Sequence, residues 1–216
     1  MADSDPSIVI PAAAARRVPW KNGAGWTNEI HVEPATAGDA DAGAVAAGDI
    51  GWLWRLSVAE IDEDARFSVF PGVERALVLL SGNGLRLRFD HGPLHTLQPP
   101  HGRLRFAGEQ PVHGELVDGP TRDFNLMWRR ERVGVQLWHR PLVGPMVVFV
   151  DPGSTWVVYL LAGAARLAPA RPPASPHAAA TALAMGDTAL LRADGARTRH
   201  MLEGGGEALL IRIDPL

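Results

Sequence analysis

The chain has 216 residues, 46% hydrophobic and 21% charged, the proportions of a globular protein that can bury a core as one large domain or two small ones. Its 21 basic and 24 acidic residues leave a net charge of −3 with histidine neutral, so no global basic field argues for nucleic acid or an anionic membrane as partner. Cysteine is absent, which excludes disulfides, thiol catalysis and cysteine-ligated zinc and fits a reducing compartment.

The opening Met1-Ala2-Asp3-Ser4-Asp5-Pro6 is acidic and lacks the basic, then apolar, sections of a signal peptide. No apolar run is long enough to cross a bilayer, and a cytoplasmic location is expected. The alanine runs 12–15 and 178–180 favour helix by propensity but are too short to hold one. Between residues 20 and 30 runs Trp20-Lys21-Asn22-Gly23-Ala24-Gly25-Trp26-Thr27-Asn28-Glu29-Ile30. It contains the only lysine, against twenty arginines, and two of the four asparagines. An ammonium, amides, a hydroxyl and a carboxylate, spaced by small residues that let backbone approach a ligand, suit a small polar molecule. The same residues also suit a plain turn whose lysine points to water, and residue types leave both readings open.

Short apolar or alternating runs punctuated by Gly and Pro follow, the pattern of an all-β protein. Residues 52–58 form the clearest strand: alternation places Trp52, Trp54, Leu56 and Val58 on one face and Arg55 and Ser57 on the other. Arg75 to Leu80 leads into a hairpin turn at Ser81-Gly82-Asn83-Gly84 and a return strand 85–89. Strands are expected at 103–106, 112–117, 123–130 and 133–139. The stretch 155–163 repeats the grammar of 76–82, an apolar strand ending in a small-residue turn, and further strands are expected at 185–191 and 207–213. A strand, Gly-turn, strand unit appearing twice points to two similar β modules. Residues 34–49 read as a surface excursion, and the Pro-rich 168–180 as a loop.

Three polar clusters interrupt these strands: Arg55 with Ser57, Glu74 with Arg75, and Asp123 with Asn125 on one strand face. Lining a cavity, they would offer guanidinium to a carboxylate, amides to neutral groups and carboxylates to an amine or amidine. Alternatively, Arg55, Glu74, Arg75 and Asp123 pair internally and brace the barrel. The eight histidines (His31, His91, His95, His101, His113, His139, His177 and His200) are scattered without a His-X-His pair, so no metal and no cofactor are expected. Nucleophile elbows and phosphate-binding loops are absent.

The segment Pro19 to Ile30, together with Trp54-Arg55-Leu56-Ser57, Phe67-Ser68-Val69-Phe70-Pro71-Gly72-Val73-Glu74-Arg75 and Gly119-Pro120-Thr121-Arg122-Asp123-Phe124-Asn125-Leu126-Met127, resembles the HutD/Ves family in order and spacing from about residue 8 to residue 140. The family's Lys-Asn-Gly-Gly-Gly becomes Lys21-Asn22-Gly23-Ala24-Gly25 here. The resemblance implies a bicupin, two packed antiparallel jelly-roll β-barrels in one chain: 1–140 with the ligand pocket and 141–216 smaller and mainly structural. Many cupins bind metal through a His-X-His and a later Glu, but no histidine lies between Pro71 and Leu87. The resemblance further implies a small-molecule sensor or carrier tied to histidine utilisation, with formiminoglutamate or urocanate as examples of its ligand. The expected ligand-binding residues are Lys21, Asn22, Thr27, Glu29, Arg55, Ser57, Arg75, Asp123 and Asn125. The expected partner is a small polar carboxylate-bearing metabolite, with no nucleic acid and no membrane; a homodimer is allowed. The alternative is a metal-free isomerase or hydrolase with Glu29 or Asp123 as general base.

Overall fold

Alternating apolar residues on runs bounded by Gly and Pro produce sheets throughout, and all strand pairs with a described register are antiparallel. The structure, a computed structural model, describes residues 7–20, 24–35, 51–168 and 180–216. Lys21 and Asn22 lie outside the described residues, as do nearly all of the expected excursion 34–49 and loop 168–180. Among the described residues the only helical structure is a three-residue 3-10 turn at Ala12–Ala14, so no helix is long and apolar enough to cross a membrane.

The chain divides into two compact units, one of Ala15–Val133 and the other of Met1–Ala14 with Gly134–Leu216. The first unit contains strands β2 (Arg16–Pro19), β3 (Gly25–Pro34), β4 (Trp52–Ile61), β6 (Val73–Ser81), β9 (Arg103–Ala107) and β11 (Thr121–Arg129). These form a six-stranded sheet in the order β2-β3-β4-β11-β6-β9. Strands β5 (Ala65–Arg66), β7 (Leu85–Phe89), β8 (Leu94–Leu97) and β10 (Val112–Leu116) form a four-stranded sheet in the order β5-β10-β7-β8. Ala59, Ile61, Leu77 and Leu79 of the larger sheet pack with Leu85, Leu87, Leu97 and Val112 of the smaller, which sets the sheets face to face around one core.

In the other unit, β1 (Ile8–Ile10), β15 (Thr188–Arg192), β13 (Thr155–Ala168), β16 (Thr198–Pro215) and β12 (Val133–Val150) lie side by side in that order, with β14 (Thr181–Ala184) against β13. Their core includes Leu142, Val150, Val158, Leu160, Leu191, Leu202 and Leu210. β12 continues well past 139 through Pro141 and Pro145, which its place at the sheet edge accommodates.

Three local expectations are corrected. Residues 185–187 are a turn between β14 and β15 instead of strand: Gly186 takes φ +89° and the Asp187 carboxylate accepts the Ala184 and Ala12 amides, each at 2.8 Å. Ala162-Gly163 ends no strand, because β13 runs through it to Ala168 with a bulge at Leu161 that Gly163, at φ +84°, absorbs. In β4, Leu53 has no counterpart on β3, since Trp54 pairs with Glu33 and Trp52 with Pro34. That extra residue reverses the alternation, and Trp52 packs with Val73 and Met127, on the face of Arg55 and away from Trp54.

Candidate functional site

Register places the polar residues of four strands on one face of the six-stranded sheet, because residues paired across a ladder point the same way. Arg55 pairs with Met127, which pairs with Arg75; Glu29 pairs with Ser57, Ser57 with Asn125, and Asn125 with Leu77; Thr27 pairs with Ala59, and Ala59 with Asp123. The opposite face carries Trp54, Leu56, Val58, Phe124, Leu126 and Trp128, all buried. The polar face forms one wall of a cavity of about 370 Å³ within the Ala15–Val133 unit, closed by Pro19, Trp20, Arg66, Phe67, Ser68 and Phe70. That size is at the small end of ligand pockets.

Six of the expected residues, Thr27, Arg55, Ser57, Arg75, Asp123 and Asn125, line this cavity together. Glu29 stands behind it: its carboxylate lies 3.0 Å from Arg55 Nε and accepts a 2.7 Å hydrogen bond from Arg16 Nη2, so it holds Arg55 instead of lining the space. Thr27 accepts the Trp20 indole N–H at 2.9 Å, and Trp20 meets Phe67 edge to face, which fixes an aromatic lip. Sequence reasoning passed over Trp20, Phe67, Phe70 and Met127. The Phe67-Ser68-Val69-Phe70 stretch had the signal, since two rings flanking a serine beside Pro71-Gly72 belong to a loop that cannot bury both in a sheet core.

The internal-bracing alternative holds for Glu74 but not for Arg75. Glu74 accepts Arg105 Nε at 2.9 Å and lies 3.8 Å from Arg130, on the face away from the cavity. Arg75 is 6% exposed and has no ion pair among the described residues. Its hydrogen bonds to Asn125 Oδ1 and the Ser68 carbonyl are long, 3.4 and 3.5 Å, and its Nε has no partner there. The guanidinium instead sits 5.2, 6.0 and 5.3 Å from the ring centres of Phe67, Phe70 and Phe106. Burial, and then the facing charge of Arg55, pull its pKa down to about 10, so it stays cationic at neutral pH.

Asp123 is the only carboxylate among the described lining residues and is 1% exposed. Its Oδ2 receives a long 3.5 Å contact from the Thr121 hydroxyl, and Oδ1 has no partner among the described residues. Burial pushes its pKa up to about 7 against the weaker pull of Thr121. The cavity thus joins a cationic end, where Arg55 is paired with Glu29 and Arg75 is not paired among the described residues, to an acid whose pKa lies near 7, with Trp20, Phe67 and Phe70 in the same lining.

The HutD family model matches residues 12–210. A 21.2 kDa protein in the hutC 3' region of Pseudomonas putida is 40% identical over 121 residues, 56% of this chain; the match spans only 57% of that protein's length. Protein Ves of Cronobacter sakazakii is 35% identical over 149 residues, covering 68% of this chain and 72% of that one. The structure of HutD from Pseudomonas fluorescens SBW25 superposes with a TM-score of 0.77 at 27% identity, covering 97% of this chain and 99% of that chain. Structural neighbours of far lower identity, such as the bacterial pirin YhhW of Escherichia coli at 9% identity and a TM-score of 0.62, share the fold.

Proposed function

The chain belongs to the HutD family, and on that premise we propose that it binds a small, polar, carboxylate-bearing metabolite without turning it over. The two units are read as the jelly-roll modules of a bicupin, with the cavity in the first and a mainly structural role for the second. The observation that carries this reading is Arg75: a buried cation, facing Arg55 and lacking an ion-pair partner among the described residues, is costly to the fold and useful to an anion receptor. A carboxylate between Arg55 and Arg75 would gain charge-assisted hydrogen bonds, with Ser57 and Asn125 adding direction. Lys21 and Asn22 belong to the same proposal through the sequence alone.

The Pseudomonas putida relative takes its name from the hutC 3' region, which supports a tie to histidine utilisation and carboxylates such as urocanate or formiminoglutamate as first ligands to try. A resident divalent metal, which many cupins carry, does not suit this cavity: its described lining provides three guanidiniums (Arg55, Arg66 and Arg75), a single carboxylate and no imidazole.

Calorimetry with urocanate and formiminoglutamate tests the reading. The expected result is saturable binding to the natural chain and a loss of at least about tenfold in Arg75→Met, with no product by mass spectrometry. Binding of neither compound, or unchanged affinity in Arg75→Met, sinks it. One observation favours a metal-free enzyme as second reading: an acid poised near pH 7 inside the cavity, Asp123, suits proton transfer. Product that forms catalytically and disappears in Asp123→Asn would establish that instead.

A further inference from the structure

We propose that the outward sheet face formed by β12, β16, β13 and β14 in the Gly134–Leu216 region docks a second copy of this chain, face to face across a twofold axis. The inference is independent of the cavity and of what it binds.

A sheet face that meets water usually carries polar side chains at every second position. This one does not. On β12, Val143 is 87% exposed, and Pro141, Pro145, Val147 and Phe149 are exposed with it, while the alternating Leu142, Val148 and Val150 are buried. The His139–Glu207 contact and the Arg197 guanidinium over the Phe149 ring bring this stretch alongside β16. There the exposed Met201 pairs with Ala168 of β13. Ala164 pairs with Gly205 on one side and Ala184 of β14 on the other, all three exposed. Four strands about 4.8 Å apart and about eight residues long make a face of roughly 500 Å². An apolar patch of that size marks an interaction site, and two copies would bury about 1,000 Å², the lower bound of a specific interface.

Two observations make a second copy the occupant. The first is Gly205. Its neighbours Gly204 and Gly206 are fixed by the chain's own packing, since a Cβ on either would collide with the Ala164 or Ala162 carbonyl. At Gly205 an added Cβ would meet nothing nearer than the Leu142 carbonyl at 4.0 Å, and its φ is not positive. Nothing within the chain asks for glycine there, whereas close approach of another backbone does.

The second is charge. Arg166 and Glu203 pair across the β13–β16 ladder on this face, both exposed and neither with an ion-pair partner among the described residues. A twofold axis lying in the face, parallel to the strands and between β13 and β16, sets each copy's Arg166 over the other's Glu203. The same rotation puts Gly205 over Ala164 and lays β12, with its bulky Val143, over the small Ala182 and Ala184 of β14. The face is thus complementary to itself in charge and in relief. Growth through the β12 edge is disfavoured instead, because Pro141 and Pro145 offer no N–H to an added strand.

Sedimentation equilibrium on the full chain, from about 1 μM to about 500 μM, tests the proposal. A reversible monomer–dimer equilibrium is expected. Gly205→Arg, for which the chain itself has room, should leave the unfolding temperature of the monomer unchanged and weaken the dimer at least about tenfold. Arg166→Glu and Glu203→Arg should each weaken it about tenfold by setting like charges together, and the double exchange should return it to within about threefold of the natural chain. A monomer at every concentration overturns the proposal. So does a dimer that Gly205→Arg leaves intact, or charge variants that the double exchange does not rescue. If Gly205→Arg fails to fold, the charge exchange decides alone.

Discussion

An ionisable side chain leaves water at a cost of several kcal/mol unless a partner meets it, and at Asp123 the described residues provide only Thr121. The folded chain holds this acid protonated up to about pH 7, whereas an unfolded aspartate loses its proton near 3.8. Between these values the folded state binds the extra proton, so stability should fall as pH rises from about 4 to about 7 and then level off. At about 1.36 kcal/mol per unit over about three units, this one group removes roughly 4 kcal/mol by pH 8. Asp123→Asn should therefore be more stable than the natural chain at pH 8, with the difference shrinking toward pH 4.5 in urea titrations; a constant difference would refute the assignment. How far such residues can be read from sequence depends on strand parity. Arg55, Ser57, Asp123 and Asn125 were legible because polar residues at every second position of an apolar strand must share a face. What parity cannot say is whether a polar residue has a partner: Glu29 and Asp123 look alike as carboxylates on strands, yet one holds Arg55 and the other faces the cavity.

At the scale of elements, the deviations cluster at single inserted residues. Leu53 in β4 and Leu161 in β13 each put one strand out of step with its neighbour, and each turns the following side chains over. The hairpin turn at Ser81–Gly84 was legible because Gly82 and Gly84, at φ +101° and +134°, stand between two clean strands. Ala162-Gly163 has the same look and a different job. Its glycine is needed where β13 passes over β16, since a Cβ there would collide with the Gly205 carbonyl, and no local propensity encodes that approach. Gly163→Ala should consequently combine positive-φ strain with a backbone clash, costing at least about 3 kcal/mol or preventing soluble expression. Gly119→Ala makes the control: φ is +75° but nothing lies within 4 Å of the added carbon, so only about 1 kcal/mol of strain is expected. Equal thermal shifts in the two variants would show that the β13–β16 approach does not matter.

Over the whole molecule, the chain's connectivity departs most from a linear two-module reading. The repeated strand grammar announced two β units, but three apolar residues between Ser7 and Pro11 hold too little pattern to reveal which unit they join. They join the later one: Ile8, Val9 and Ile10 pair with Leu190, Ala189 and Thr188, Ser7 Oγ accepts the Arg192 amide at 3.1 Å, and Val9 packs on that unit's core. β1 thus covers what would otherwise be the bare edge of β15, a central part of the sheet in hydrophobic content if not in position. Removing residues 1–10 should strip those ladder bonds together with the Val9 contact. We expect unfolding of the Gly134–Leu216 region at lower temperature, a greater tendency to associate through the exposed edge, and unchanged carboxylate affinity, because every described cavity residue lies between 15 and 133. Val9→Asp tests the packing alone, since it keeps the backbone ladder while setting a charge against an apolar core; a loss of about 2–3 kcal/mol is expected. Hydrogen exchange reads the outcome strand by strand. Faster exchange in β15 and β13 with protection kept in β4 and β11 supports this coupling, while uniform loss, or none, contradicts it.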